Sequence, residues 1–66
     1  MTEIPIAPIE RIAKKAGAAR ISEDAKVKLR DVLEEYALDL AAKANALARH
    51  ANRKTIKKED ISLAGM

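Results

Sequence analysis

The sequence predicts an all-α protein: a short helix, a loop, one long central helix, a second loop and a short third helix. Three observations predict it. Between residues 22 and 51 there is no Gly or Pro. Apolar residues recur there at steps of three and four, the period of one helix face. The breakers Pro8, Gly17 and Gly65 fall outside that stretch. At about 1.5 Å per residue the central helix spans roughly 40 Å, more than the width of a compact globule made from 66 residues. Much of its apolar surface therefore needs another chain to cover it.

The first element is marked by Ile4, Ile6, Ile9, Ile12, Ala13 and Ala16. Pro8 suits the first helical position and Gly17 a left-handed stop, which predicts a helix of about two turns. Residues 18–21 connect. Ser22 is a good N-cap, and Glu23 and Asp24 place negative charge at the helix start, where the dipole favours it. Ala25 stands where Glu or Gln would complete a capping box, so none is expected.

Along the central helix Ala25, Leu29, Val32, Leu33, Tyr36, Ala37, Leu40, Ala41, Ala44, Leu47, Ala48 and Ala51 draw one continuous stripe, and Val27, Leu38, Ala42 and Ala46 add a second strip. Between Leu38 and Ala48 the helix is apolar over most of its circumference, and its many alanines let a neighbouring backbone come close. Two long helices can cross there. Asn52 can end the helix in the left-handed conformation that Asn tolerates. Lys54, Thr55 and Ile56 form a short extended run, and so do Arg20, Ile21 and Ser22 at the other end. In an antiparallel dimer each end of one long helix meets the opposite end of the other, which makes these two runs neighbours. Lys58 to Ala64 reads as a third helix with apolar Ile61, Leu63 and Ala64, stopped by Gly65. One domain over residues 1–66 is expected, without repeats, linkers or low-complexity tracts.

Composition narrows the function. Domains of this size bury only about 60% of the surface their unfolded chains expose, and disulfides, metals or association make up the deficit. There is no Cys and one His, so association is left, most economically as a symmetric homodimer. No metal or other cofactor is expected. The absence of Cys, of a bilayer-length apolar run and of a signal-peptide layout leads to the expectation of a cytoplasmic protein. No nucleophile stands near a base at recognisable spacing and there is no Gly-rich phosphate loop, so the chain does not read as an enzyme.

Thirteen Lys and Arg against ten Asp and Glu leave a net charge of +3. Placement says more than the total. Arg11, Lys14, Lys15 and Arg20 precede the long helix, Arg49, Arg53, Lys54, Lys57 and Lys58 close or follow it, and Asp31, Glu34, Glu35 and Asp39 make its middle mixed or acidic. Tyr36 is the sole aromatic residue. Single-strand binding by base stacking is therefore disfavoured, whereas duplex backbone binding needs no aromatics.

Residues filling this frame resemble an archaeal histone. The likeness is carried by Ile4-Pro5-Ile6-Ala7-Pro8-Ile9 with Arg11-Ile12, by Ala16-Gly17-Ala18, by Arg20-Ile21-Ser22, and by the unbroken run from Leu47-Ala48-Arg49-His50-Ala51-Asn52-Arg53-Lys54-Thr55-Ile56 to Lys57-Lys58-Glu59-Asp60-Ile61. The resemblance implies the histone fold, a head-to-tail handshake dimer, and wrapping of double-stranded DNA without sequence specificity into compacted, nucleosome-like chromatin in the nucleoid. In histone octamers Arg side chains enter the inward-facing minor groove and no base-specific contact is made. By that analogy Arg20 is the minor-groove arginine. Lys54 and Thr55 hold phosphates beside it, and Arg11, Lys14 and Lys15 belong to a first-helix pair at the dimer centre. The resemblance also sets His50 against Asp60 of another dimer, with Leu47 packing beside them and Arg53 bracing Asp60 within its own chain, so that dimers join into tetramers or larger assemblies.

Three departures from the family pattern stand out. The third helix stops early, at Leu63-Ala64-Gly65-Met66, which argues against long stacked fibres. Glu10 puts negative charge near the DNA path, and Asn52 stands where Gly is frequent. Pairing with a paralogue is left open. The rival reading is a histone-fold dimerisation protein that acts mainly through protein partners.

Overall fold

The computed structural model describes residues 3–66 as three helices in the order expected: α1 (Ile6–Lys15), α2 (Glu23–His50) and α3 (Lys58–Ala64). Among the described residues there is no strand, and no helix is long and apolar enough to cross a membrane. The contacts divide into two compact units, Met1–Glu35 and Tyr36–Met66.

In the first unit α1 starts earlier than the sequence suggests. Pro5 takes the N-cap position with an extended backbone at ψ 160°, and the helix runs for 10 residues rather than two turns. Pro8 thus occupies the third helical position instead of the first. The shift costs nothing, because the first-turn N–H groups have no partner within a helix and Pro merely lacks one of them. Ile9 and Ala13, one turn apart, are buried, while Arg11, Lys14 and Lys15 remain exposed. The helix stops at Gly17, whose φ is +106°. The Gly17 N–H donates to the Lys14 carbonyl at 3.0 Å and that of Ala18 to the Ala13 carbonyl at 3.1 Å, the paired closure of a Schellman stop. Ser22 then caps α2 as expected, its Oγ accepting from the Ala25 N–H at 3.1 Å.

The second unit repeats the stop. Asn52 sits at φ +62°, its N–H donates to the Arg49 carbonyl and that of Arg53 to the Ala48 carbonyl, both at 2.9 Å. Ala44 and Ala48 are fully buried. The α3 helix covers Lys58–Ala64 and is capped by Gly65.

Most of the α2 apolar stripe is not covered by its own chain. Val32 is 47% exposed, Tyr36 59% and Leu47 37%, and on the second strip Leu38 is 74% exposed. Exposed large side chains scattered singly are ordinary, but a run of them along one helix is the mark of an interaction surface.

Candidate nucleic-acid interface

The cations singled out from the sequence lie at the surface. In the first unit Arg11, Lys14 and Lys15 lie on the side of α1 away from buried Ile9 and Ala13, and Arg20 is exposed in the loop of residues 16–22. Lys14 is loosely paired with Glu10 at 3.6 Å, across one exposed helical turn. Among the described residues, Arg11, Lys15 and Arg20 make no ion pair, so their charge is available to a ligand.

Glu10 has a partner that the sequence did not reveal. The ammonium of Lys26, a residue only 8% exposed, lies 3.3 Å from the Glu10 carboxylate and 2.9 Å from that of Glu23. The hydrogen bond from Lys26 and the charges of Lys26 and Lys14 hold the Glu10 carboxyl below its ordinary pKa. The hydrogen bond to Glu23 in turn raises the Lys26 ammonium. The acidic group near the supposed DNA path is thus balanced by two lysines. Glu23 and Lys26 at i, i+3 are visible as a helical pair, but Glu10 and Lys26 meet only because α1 packs on α2. A second long-range tether has the same character: the Glu34 carboxylate accepts from the backbone N–H of Ile4 at 2.6 Å and from that of Glu3, fixing the segment that leads into α1.

In the second unit the loop of residues 51–57 is held by one arginine. Arg53 grips Asp60 through both terminal nitrogens, Nη1 to Oδ2 and Nη2 to Oδ1, each at 2.9 Å. Its Nη1 also donates to the Thr55 carbonyl at 3.0 Å. Asp60 Oδ2 accepts from the Lys57 N–H at 2.8 Å, which caps the start of α3. Bidentate charge-assisted bonds of this kind are short and orient both partners. Asp60 is 3% exposed, and the Arg53 bonds, then the Lys57 amide, lower its pKa to about 2. The reciprocal bond raises the Arg53 guanidinium.

The loop backbone is therefore fixed from inside while Lys54 and Thr55 stand exposed on its outer side. His50 and Leu47 are exposed in the last turns of α2, and among the described residues His50 forms no hydrogen bond or ion pair. The structure joins Arg53 to Asp60 and leaves His50 and Leu47 turned to solvent.

The sequence is similar to known proteins over most of its length. The chain is 58% identical over 64 residues to one of the subunits of archaeal histone HAN1 of Thermococcus zilligii, covering 97% of this chain and 96% of that protein. It is 53% identical over 64 residues to "Probable archaeal histone 3" of Methanocaldococcus jannaschii, with the same coverage. It is also 38% identical over 60 residues to a B-type component of nuclear transcription factor Y of Arabidopsis thaliana, covering 88% of this chain and 25% of that protein. Residues 2–64 match the family described as histone-like transcription factor (CBF/NF-Y) and archaeal histone. With its three helices, its long central element and its two cation-bearing loops, the chain is a histone-fold protein and belongs to that family.

Proposed function

We propose that this chain is a histone of the archaeal type, working as a homodimer that wraps double-stranded DNA without reading its sequence. The observation that carries the proposal is the apolar stripe of α2 left exposed at Val32, Tyr36 and Leu47. Covering it with a second, antiparallel α2 is the economical solution, and residues 1–66 then act as one domain of a handshake pair. Head-to-tail pairing brings Arg20 of one copy beside Lys54 and Thr55 of the other.

In that arrangement Arg20 enters the minor groove, and Lys54 and Thr55 hold the flanking phosphates, Thr55 by its hydroxyl or its N–H. Arg11, Lys14 and Lys15 extend the positive surface along the paired first helices. Affinity comes from displaced counterions and so falls steeply with salt. Binding, bending and compaction involve no chemical step on the DNA. The working place is the nucleoid.

Larger assemblies follow from the end of α2. His50 and Leu47 of one dimer meet their counterparts in the next, with His50 donating to Asp60. Asp60 already accepts three hydrogen bonds of the roughly four that a carboxylate accommodates, so one place remains for His50. The likeness to a component of nuclear transcription factor Y supports the rival reading, a histone-fold protein that acts mainly through protein partners, whereas pairing with a paralogue in place of a second copy would keep the DNA-wrapping reading. The higher identity to the two archaeal histones favours DNA compaction.

Two measurements test this. Sedimentation equilibrium is expected to give twice the chain mass, and a folded monomer in dilute buffer would refute the dimer. Replacing Arg20 and Lys54 together by Ala is expected to weaken duplex binding by at least tenfold. Wild-type affinity in that variant would shift the reading to a protein partner.

A further inference from the structure

A groove of about 450 Å³ opens in the second unit, walled by Asn45, Arg49, Asn52, Arg53 and Lys54. Asn45, Arg49 and Asn52 follow at i, i+4 and i+7, one face of α2 and its stop. Among the described residues no carboxylate lines it. The Arg53 guanidinium is balanced by Asp60, but among the described residues Arg49 and Lys54 have no acidic partner. The groove thus holds two uncompensated cations and two carboxamides able to donate N–H bonds. The negative end of the α2 dipole is blunted here, because the Ala48 and Arg49 carbonyls already accept from Arg53 and Asn52. A concave surface of that composition suits a compact anion with several acceptor oxygens.

We propose that this groove holds a DNA phosphodiester beyond those gripped at the loop, carrying the phosphate track from Lys54 back along the last turns of α2 to Arg49 and Asn45. The inference rests on the DNA-wrapping reading and extends it to three residues, Asn45, Arg49 and Asn52, that the loop contacts do not use. Arg49 supplies the charge, and the two carboxamides supply oriented donors.

The test is duplex affinity measured against salt concentration for the wild-type protein, Arg49→Gln, Asn45→Asp, and the Arg20→Ala/Lys54→Ala double variant. Arg49→Gln keeps a donor and removes the charge. It is expected to reduce the slope of log affinity against log salt by about 0.9 per chain, with binding about eightfold weaker per lost contact at 0.1 M salt. Asn45→Asp, nearly the same size, puts a negative charge in the groove and is expected to weaken binding comparably. Both positions are exposed, and circular dichroism should show wild-type helicity and thermal midpoint.

Wild-type slopes for Arg49→Gln and Asn45→Asp, alongside a weakened double variant, would overturn the groove while leaving the DNA reading intact. Wild-type affinity in all three variants would overturn both. A changed sedimentation pattern of the DNA-free Arg49→Gln protein with an unchanged slope would make the groove a protein contact, which also overturns the proposal. Competition by inorganic phosphate at equal ionic strength separates the two sources of the anion. Loss of DNA binding only at high millimolar phosphate supports the phosphodiester, whereas displacement at micromolar phosphate would make the groove a site for the free ion and overturn the proposal.

Discussion

The two loops start alike and are then held differently. Residues 16–22 and residues 51–57 both leave a helix through a left-handed residue and a Schellman closure, and both carry cations. After that closure the second loop is clamped: Arg53 ties Asp60, the Thr55 carbonyl and, through Asp60, the Lys57 amide into one network. The first loop has the Ser22 cap at its far end, and Arg20 stands without an ion pair among the described residues. Held backbone suits phosphates at fixed positions, as proposed for Lys54 and Thr55. A side chain free to extend suits insertion into a groove of varying width, as proposed for Arg20. On that proposal the two cationic loops divide the work according to whether a neighbouring carboxylate pins them.

The strongest way to break this difference is Asp60→Asn. The change leaves the Arg53 guanidinium facing a neutral amide and weakens the cap of α3. Removing one member of a buried charge pair is among the most damaging substitutions, so the largest loss of thermal stability is expected here, together with faster amide exchange across residues 54–57. The pH dependence carries the sign. Asp60 is lowered to about 2 in the folded chain, so its contribution is complete above the ordinary carboxylate range and fades as pH falls through that range towards 2. The wild-type protein should lose stability in that acid window, and Asp60→Asn should lose less. An equally steep acid loss in the variant would place the clamp elsewhere.

These two loops also separate what is legible in the residues from what is not. Gly17, Ser22, Asn52 and Gly65 announce helix ends through their own backbone preferences or a bond to a residue three or four positions away. Those are local effects, visible as spacing. The Arg53–Asp60 brace is legible only through likeness to archaeal histones. The pairings of Glu10 with Lys26 and of Glu34 with Ile4 span 16 and 30 positions and depend on which faces of α1 and α2 meet, so no period reveals them. The start of α1 escapes the sequence for another reason. Pro is acceptable anywhere in a first helical turn, and Pro8 does not say which position it holds.

A smaller effect is expected from Gly17→Ala. The φ of Gly17, +106°, lies well outside the left-handed well near +57° that a side chain can occupy. An added Cβ would meet nothing within 4 Å, so no clash contributes and the cost is confined to the backbone. A left-handed penalty of about 1–2 kcal/mol is offset by about 0.4–1 kcal/mol of reduced freedom in the unfolded chain. The net is a loss of roughly 1 kcal/mol, to be read from denaturant unfolding of the assembled protein at fixed concentration. A neutral result would mean that this loop rearranges freely, which would deepen its contrast with the clamped one.

The smallest effect is expected at the matching position of the second loop, where even the sign is finely balanced. Asn52 sits at φ +62°, close to the centre of the left-handed well, where Asn is the side chain most at ease after Gly. Asn52→Gly relieves little strain and adds freedom to the unfolded chain, so stability should change by less than about 0.5 kcal/mol in either direction. The substitution also removes a neutral donor from the groove beside Arg49 and Lys54. If that groove holds a phosphodiester, duplex binding should weaken by a few-fold while the salt slope stays as in the wild type, because no charge has been lost. A stability loss as large as that of Gly17→Ala would show that the Asn52 carboxamide, and not the turn alone, holds the second loop in place.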